Sequence, residues 1–151
     1  MARNSLGKTK LFNRELYDRT DGIAKEAIQK YLIQNKHIVL TTKENYSCDI
    51  ESISEDGTLC FSEVEIKFSW EGEWPKDWED VRIPYRKQKL LDKIGRNLTF
   101  YVFRADCAEA WAISDTVIKE HASIKEVPNR YVPEGEKFFS IPVRNIYKIT
   151  I

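Results

Sequence analysis

Residues 46–67, YSCDIESISEDGTLCFSEVEIK, gather Asp49, Glu51, Glu63, Glu65 and Lys67 into one short length of chain. Asp56-Gly57 is a strong turn signal between two runs, Tyr46–Ile53 and Leu59–Ser69, that read as strands, so the stretch predicts an antiparallel hairpin. A turn with three central residues makes cross-strand partners sum to 114, setting Asp49 opposite Glu65, Glu51 opposite Glu63 and Ser47 opposite Lys67. A two-residue turn makes the sum 113 and sends Asp49 to the other face from Glu65. Val64, Ile66 and Phe68 share one face and must meet a core, which favours the register that groups the charges.

Directly opposed side chains have Cβ atoms about 5 Å apart, and like charges there destabilise a sheet. A divalent cation compensates them naturally. Mg²⁺ takes hard oxygen ligands, commonly one or two carboxylates completed by water and substrate phosphate. Lys67 lies two residues beyond Glu65 and therefore on the same face. The plain alternative is a solvated hairpin face carrying an ordinary cross-strand salt bridge.

Elements must hold this hairpin. Two i, i+4 rows, Ile23-Ala27-Tyr31 and Ala24-Ile28-Leu32, predict a helix from Arg14 or Thr20 to Gln34, with Asp18, Thr20 or Asp21 as candidate caps. HIVLTT reads as a strand. After the hairpin, EGEWPKDWEDVRIP has neither helical nor strand period and reads as a long loop, and Pro84 opens a helix that Gly95 closes. LTFYVFRA and AEAWAI read as strands, SDTVIKEHA as a short helix capped by Ser114, and KFFSIPVRNIYKITI as one or two more strands. The order predicts an α/β protein, a mixed sheet flanked by helices.

Composition narrows the classes. The 151 residues, 42% of them hydrophobic, suffice for one domain at 13–151, preceded by a basic arm at 1–12 with Arg3, Lys8 and Lys10. Net charge is zero, so any electrostatic footprint for nucleic acid must be local. It is: residues 43–80 hold 12 acids against three lysines, whereas the helix from Pro84 holds Arg86, Lys87, Lys89, Lys93 and Arg96 against Asp92. Three cysteines at no ligand spacing, two distant histidines and an N-terminus without an apolar signal lead to a cytoplasmic protein, any metal being held by oxygen. No run approaches the ~18 apolar residues of a membrane helix. Trp70, Trp74 and Trp78 alternate with acids, which suits burial against the sheet or a partner subunit better than contact with phosphate, and Trp111 belongs to the core.

Asp49, fifteen intervening residues and Glu65-Ile66-Lys67 resemble the D…(D/E)-x-K signature of the PD-(D/E)XK, or restriction-endonuclease-like, nuclease superfamily. Residues 24–67 also resemble the archaeal Holliday-junction resolvases and related small nucleases: a helix carrying a glutamate, a strand, the aspartate strand, a turn and an apolar strand ending in E-x-K. Cys48 stands where the family often has proline, and Glu63 is a rival carboxylate to Glu65.

The resemblance implies a restriction-endonuclease-like mixed β-sheet flanked by helices, and a Mg²⁺-dependent endonuclease acting on DNA, with Mn²⁺ as a substitute. It places the ion on Asp49, Glu65 and the Ile66 carbonyl, makes Lys67 the group that orients water or stabilises the phosphate oxygens, and gives Glu26 as the helical glutamate. Glu26 sits at the margin of its apolar stripe, so it serves either the site or the solvent. Arg86, Lys87, Gln88, Lys89 and Lys93 become candidates for phosphate contact. A homodimer is expected, because one such site cuts one strand. The rival from another class is a noncatalytic nucleic-acid-binding or assembly subunit that keeps the fold.

Overall fold

The computed structural model describes residues 14–41, 48–67, 79–104, 106–128 and 135–150. The expected basic arm, Ser47 and the Trp70, Trp74 and Trp78 segment lie outside the described residues.

Helix α1 runs Arg14–Gln34. Asp18, Thr20 and Asp21 therefore lie within it rather than at its start. Ala24, Ile28 and Leu32 are buried as their spacing demands, whereas Ile23, expected in the adjacent apolar row, is exposed. Strands β1 (Ile38–Thr41), β2 (Ile50–Ile53) and β3 (Leu59–Lys67) form an antiparallel meander. β3 then pairs in parallel with β5 (Leu98–Arg104), and β6 (Glu109–Ser114) and β9 (Tyr147–Thr150) continue the sheet antiparallel. The sheet order is β1-β2-β3-β5-β6-β9, and its mixed character with flanking helices makes the protein α/β.

A parallel neighbour needs a crossover, because a tight turn cannot return the chain to the same end of the sheet. The described part of this crossover holds β4 (Asp80–Pro84), a 3-10 turn at Tyr85–Lys87 and α2 (Gln88–Ile94). β4 corrects the expectation of an unbroken loop: Val81 and Ile83 alternate inward and are fully buried. Pro84 ends it and precedes the 3-10 turn, so the helix proper begins at Gln88. Gly95 closes α2 in the left-handed region, at φ 79°, with its N–H donated to the Leu91 carbonyl. Helix α3 (Asp115–His121) starts at Ser114, whose Oγ accepts from the Val117 N–H. A strand that the sequence reading lacked, β7 (Ser123–Val127), joins β8 (Glu136–Pro142) and β4 in a second sheet, ordered β4-β8-β7.

Two cores lie on opposite faces of the main sheet. α1 covers Ile50, Val64, Tyr101 and Phe103 on one side, while α2, α3 and the second sheet cover Phe100, Val102, Trp111 and Ile113 on the other. Each fully buried large apolar side chain stabilises by roughly 1.5–3 kcal/mol relative to exposure, so β5, apolar on both faces, anchors the molecule. Among the described residues no helix is long and apolar enough to cross a membrane.

The hairpin register differs from the expected one. Ile50 faces Ser62 and Glu51 faces Phe61, a sum of 112, which extends to Asp49 opposite Glu63 rather than Glu65. Neither Glu51–Glu63 nor Asp49–Glu65 is directly opposed. The cause is a longer turn. Ser54 and Thr58 close it through Ser54 N–H to the Thr58 carbonyl at 2.9 Å, and Asp56 accepts from both Ser54 Oγ and the Thr58 N–H. These bonds hold the Asp56 carboxyl down at about 2. Since 112 and 114 have the same parity, the charges stay together.

Candidate functional site

At the open ends of β2 and β3, alternation places Glu63 and Glu65 on one face of β3, and Asp49 ends the bend that leads into β2. Asp49 is clamped by backbone: its Oδ2 accepts from the Val64 N–H at 2.9 Å, and its own N–H is donated to Glu63 Oε2 at 3.2 Å. Around them lies a cavity of about 200 Å³, walled by Asp49, Glu63, Val64, Glu65 and Ile66 from the hairpin, Asp21 and Lys25 from α1, and Arg86 and Lys87 from the 3-10 turn.

The acids are bridged by two ammonium groups. Lys25 Nζ lies 2.8 Å from Asp21 Oδ2 and 3.4 Å from Asp49 Oδ1. Lys87 Nζ lies 2.9 Å from Glu63 Oε1 and 3.3 Å from Glu65 Oε1. Burial alone would lower the pKa of both lysines, but Asp21 and Asp49 about Lys25, and Glu65 and Glu63 about Lys87, outweigh it and raise both. Burial, with the Asp49 charge added, pushes the Glu63 carboxyl up to about 7 against the pull of Lys87.

Asp49, Glu65 and Ile66, the set expected to hold an ion, thus line one cavity. Glu26 does not join them. It is 67% exposed and paired with Lys30 at 3.2 Å, because each helical residue advances about 100°, carrying Glu26 away from the face that Lys25 presents. Lys67 is close enough to Glu65 to feel its charge but does not line the cavity; burial lowers its pKa, with Glu65 opposing and Arg82 adding. Of the basic candidates, Arg86 and Lys87 reach the cavity. Gln88 donates to Asp92 Oδ1 at 2.7 Å in a different groove, and Lys89 and Lys93 stand exposed on α2.

Sequence reasoning missed Asp21 and Lys25. Their i, i+4 spacing beside the Ala24-Ile28 stripe is the signal that could have found them. Lys87 is the member of the basic run that turns inward to Glu63 and Glu65, which a run of basic residues does not by itself reveal.

The donor set suits a hard divalent cation. Glu65 Oε1 is buried and, although Lys87 is near, accepts no hydrogen bond. Among the described residues no three His, Cys, Asp or Glu side chains form a ready group for a metal, so an ion held by Asp49 and Glu65 would need water to complete its shell. A larger cavity, about 360 Å³, lies at the C-terminal end of α1 among Tyr31, Tyr101, Tyr147, Ser62 and Thr99; among the described residues no lysine or arginine lines it, so these residues give it no cationic hold on phosphate.

No family model, curated protein or solved structure matches this chain.

Proposed function

We propose that the chain is a metal-dependent endonuclease that hydrolyses DNA phosphodiester bonds, with a restriction-endonuclease-like fold of the PD-(D/E)XK kind. The observation that carries this reading is the convergence of Asp49, Glu65 and Ile66 on one small cavity that also has a basic wall. The chain order supports it: helix α1, strand β1, the aspartate before β2, the E-x-K strand β3 and then, after the additional β4 and the 3-10 turn, α2 and β5 follow the order that the resemblance requires.

Asp49, Glu65 and the Ile66 carbonyl would hold Mg²⁺ or Mn²⁺. When bound, such an ion supplies positive charge against the scissile phosphate and acidifies a coordinated water. The chain's own residues do the rest. Arg86 and Lys87 present cations to the non-bridging oxygens, and Lys67, behind Glu65, steadies that carboxylate. Water adds to phosphorus as the bond to the 3′-oxygen breaks, leaving a 5′-phosphate and, once the leaving oxygen takes up a proton, a 3′-hydroxyl. One site cuts one strand, so a double-strand cut calls for a second copy. Branched or structured DNA is the favoured substrate class by analogy with the resolvases, and cytoplasmic DNA is the setting.

The second reading, a noncatalytic nucleic-acid-binding or assembly subunit, is favoured by one observation: Lys25 and Lys87 already neutralise the acids. Linear duplex, single-stranded, four-way-junction and RNA substrates, incubated with Mg²⁺, Mn²⁺ or a chelator, decide between the two. The nuclease reading expects cation-dependent cleavage that Asp49→Asn and Glu65→Gln abolish. Retention of DNA without cleavage, unchanged in both variants, supports the binding subunit instead.

A further inference from the structure

The four acid–lysine contacts in the cavity are paired unequally, and in the same sense on both walls. Lys25 makes its short contact, 2.8 Å, with Asp21 and its long one, 3.4 Å, with Asp49. Lys87 makes its short contact, 2.9 Å, with Glu63 and its long one, 3.3 Å, with Glu65. The Lys87–Glu63 contact is a hydrogen bond, whereas the buried Glu65 Oε1 accepts none. The two carboxylates suited to a cation are thus the two held loosely by ammonium groups, and each ammonium group is anchored more closely to an acid from a different position in the chain.

Buried carboxylates without compensation are costly, and a lysine is a compact point charge able to neutralise them. A divalent ion meeting Asp49 and Glu65 must displace that compensation or suffer repulsion from two positive charges only about 4 Å away. The anchors decide where the displaced groups go.

We propose that Lys25 and Lys87 are resident counter-ions that a divalent cation displaces from Asp49 and Glu65, and that Asp21 and Glu63 keep the released ammonium groups at the cavity wall for phosphate. This rests on the nuclease reading for the identity of the cation site. It adds Lys25 as a second phosphate-facing lysine beside Lys87, neither of them part of the E-x-K motif, and two positioning residues, Asp21 and Glu63. The exchange also accounts for four acids in a cavity where an ion needs two.

Calorimetric titration with Ca²⁺ and Mn²⁺ tests the proposal without turnover, in the wild type, Lys25→Met, Lys87→Met and, as a milder change, Lys87→Gln, each checked for folding by circular dichroism. Removing either lysine is expected to tighten cation binding about tenfold or more, and to weaken binding of a short DNA duplex in Ca²⁺. Asp21→Asn and Glu63→Gln, which free the lysine to close on Asp49 or Glu65, are expected to weaken cation binding several-fold. Wild-type cation binding that the lysine substitutions leave unchanged or weaken would overturn the exchange while leaving the nuclease reading intact. Absence of cation binding in all variants overturns both, and binding that emerges only in the lysine variants supports the exchange.

Discussion

Asp49 has two duties that substitution can separate. Its charge serves the cavity, and its Oδ2 satisfies the N–H of buried Val64. Asn retains an acceptor oxygen there and Ala does not. Asp49→Asn is therefore expected to abolish cleavage, by at least about a hundredfold, while shifting stability by less than about 1 kcal/mol. Asp49→Ala is expected to lose activity equally and a further ~1–3 kcal/mol of stability, because a buried donor is left unsatisfied. Urea denaturation beside a nicking assay checks both. Glu63 gives a pH signature. Folded, its carboxyl holds a proton until about pH 7, owing to burial and the Asp49 charge, against an ordinary value of 4.5. The folded state binds that proton more tightly than the unfolded chain, so this stabilisation is complete below about pH 4.5 and is lost as pH rises through about 7. Stability measured across that window should fall by something on the order of 1–3 kcal/mol from this group, and Glu63→Gln should flatten the fall. A slope unchanged in Glu63→Gln assigns the titration elsewhere.

At the scale of elements, β3 and its two flanking connections set the cavity. α2 must end where β5 begins, and Gly95 makes that possible through its positive φ of 79°. Gly95→Ala meets no neighbour within 4 Å, so its cost is conformational, about 1 kcal/mol, read as a lower denaturation midpoint with unchanged cleavage chemistry. Ser114→Ala, which removes the α3 cap, is expected to cost a similar ~1 kcal/mol. The elements legible in the sequence were those with strong periodicity or punctuation: α1, β3, β5, β6, the Ser114 cap and the Gly95 stop. β4 and β7 were not legible. Each is five residues long, and β4 follows a Trp-rich acidic stretch without strand period. Register escaped for a related reason: Asp56-Gly57 announces a turn, but the Ser54 and Thr58 bonds that widen it are set by side chains the turn signal does not weigh. Asp49 and Glu65 were legible as a pair because parity survives a shift of two. The lysines that meet them come from α1 and the 3-10 turn, and only tertiary packing brings those elements together.

The whole molecule is electrically balanced, with 24 basic and 24 acidic residues, so on the proposed reading DNA would meet a segregated field rather than a net attraction. The basic residues near the cavity include Arg86 and the exposed Lys89 and Lys93 of α2, while acids line the open end of β3. Binding should therefore depend on salt, but shallowly. A protein that neutralises Z phosphates loses affinity with a log–log slope of about −0.9Z, so Arg86, Lys89 and Lys93 contribute about −3, to which Lys25 and Lys87 add once a cation releases them. Lys89→Gln and Arg86→Gln are each expected to flatten that slope by about one unit and to weaken all duplex sequences alike, as phosphate contacts do. Glu65→Gln, which acts on the chemistry, should remove cleavage while DNA is still bound. Fluorescence anisotropy of a labelled junction and a labelled duplex, titrated from low to moderate salt in Ca²⁺, measures all of this. If the slope is steep in the wild type and indifferent to Lys89 and Arg86, DNA is engaging basic residues elsewhere in the chain, and α2 is not the tracking surface.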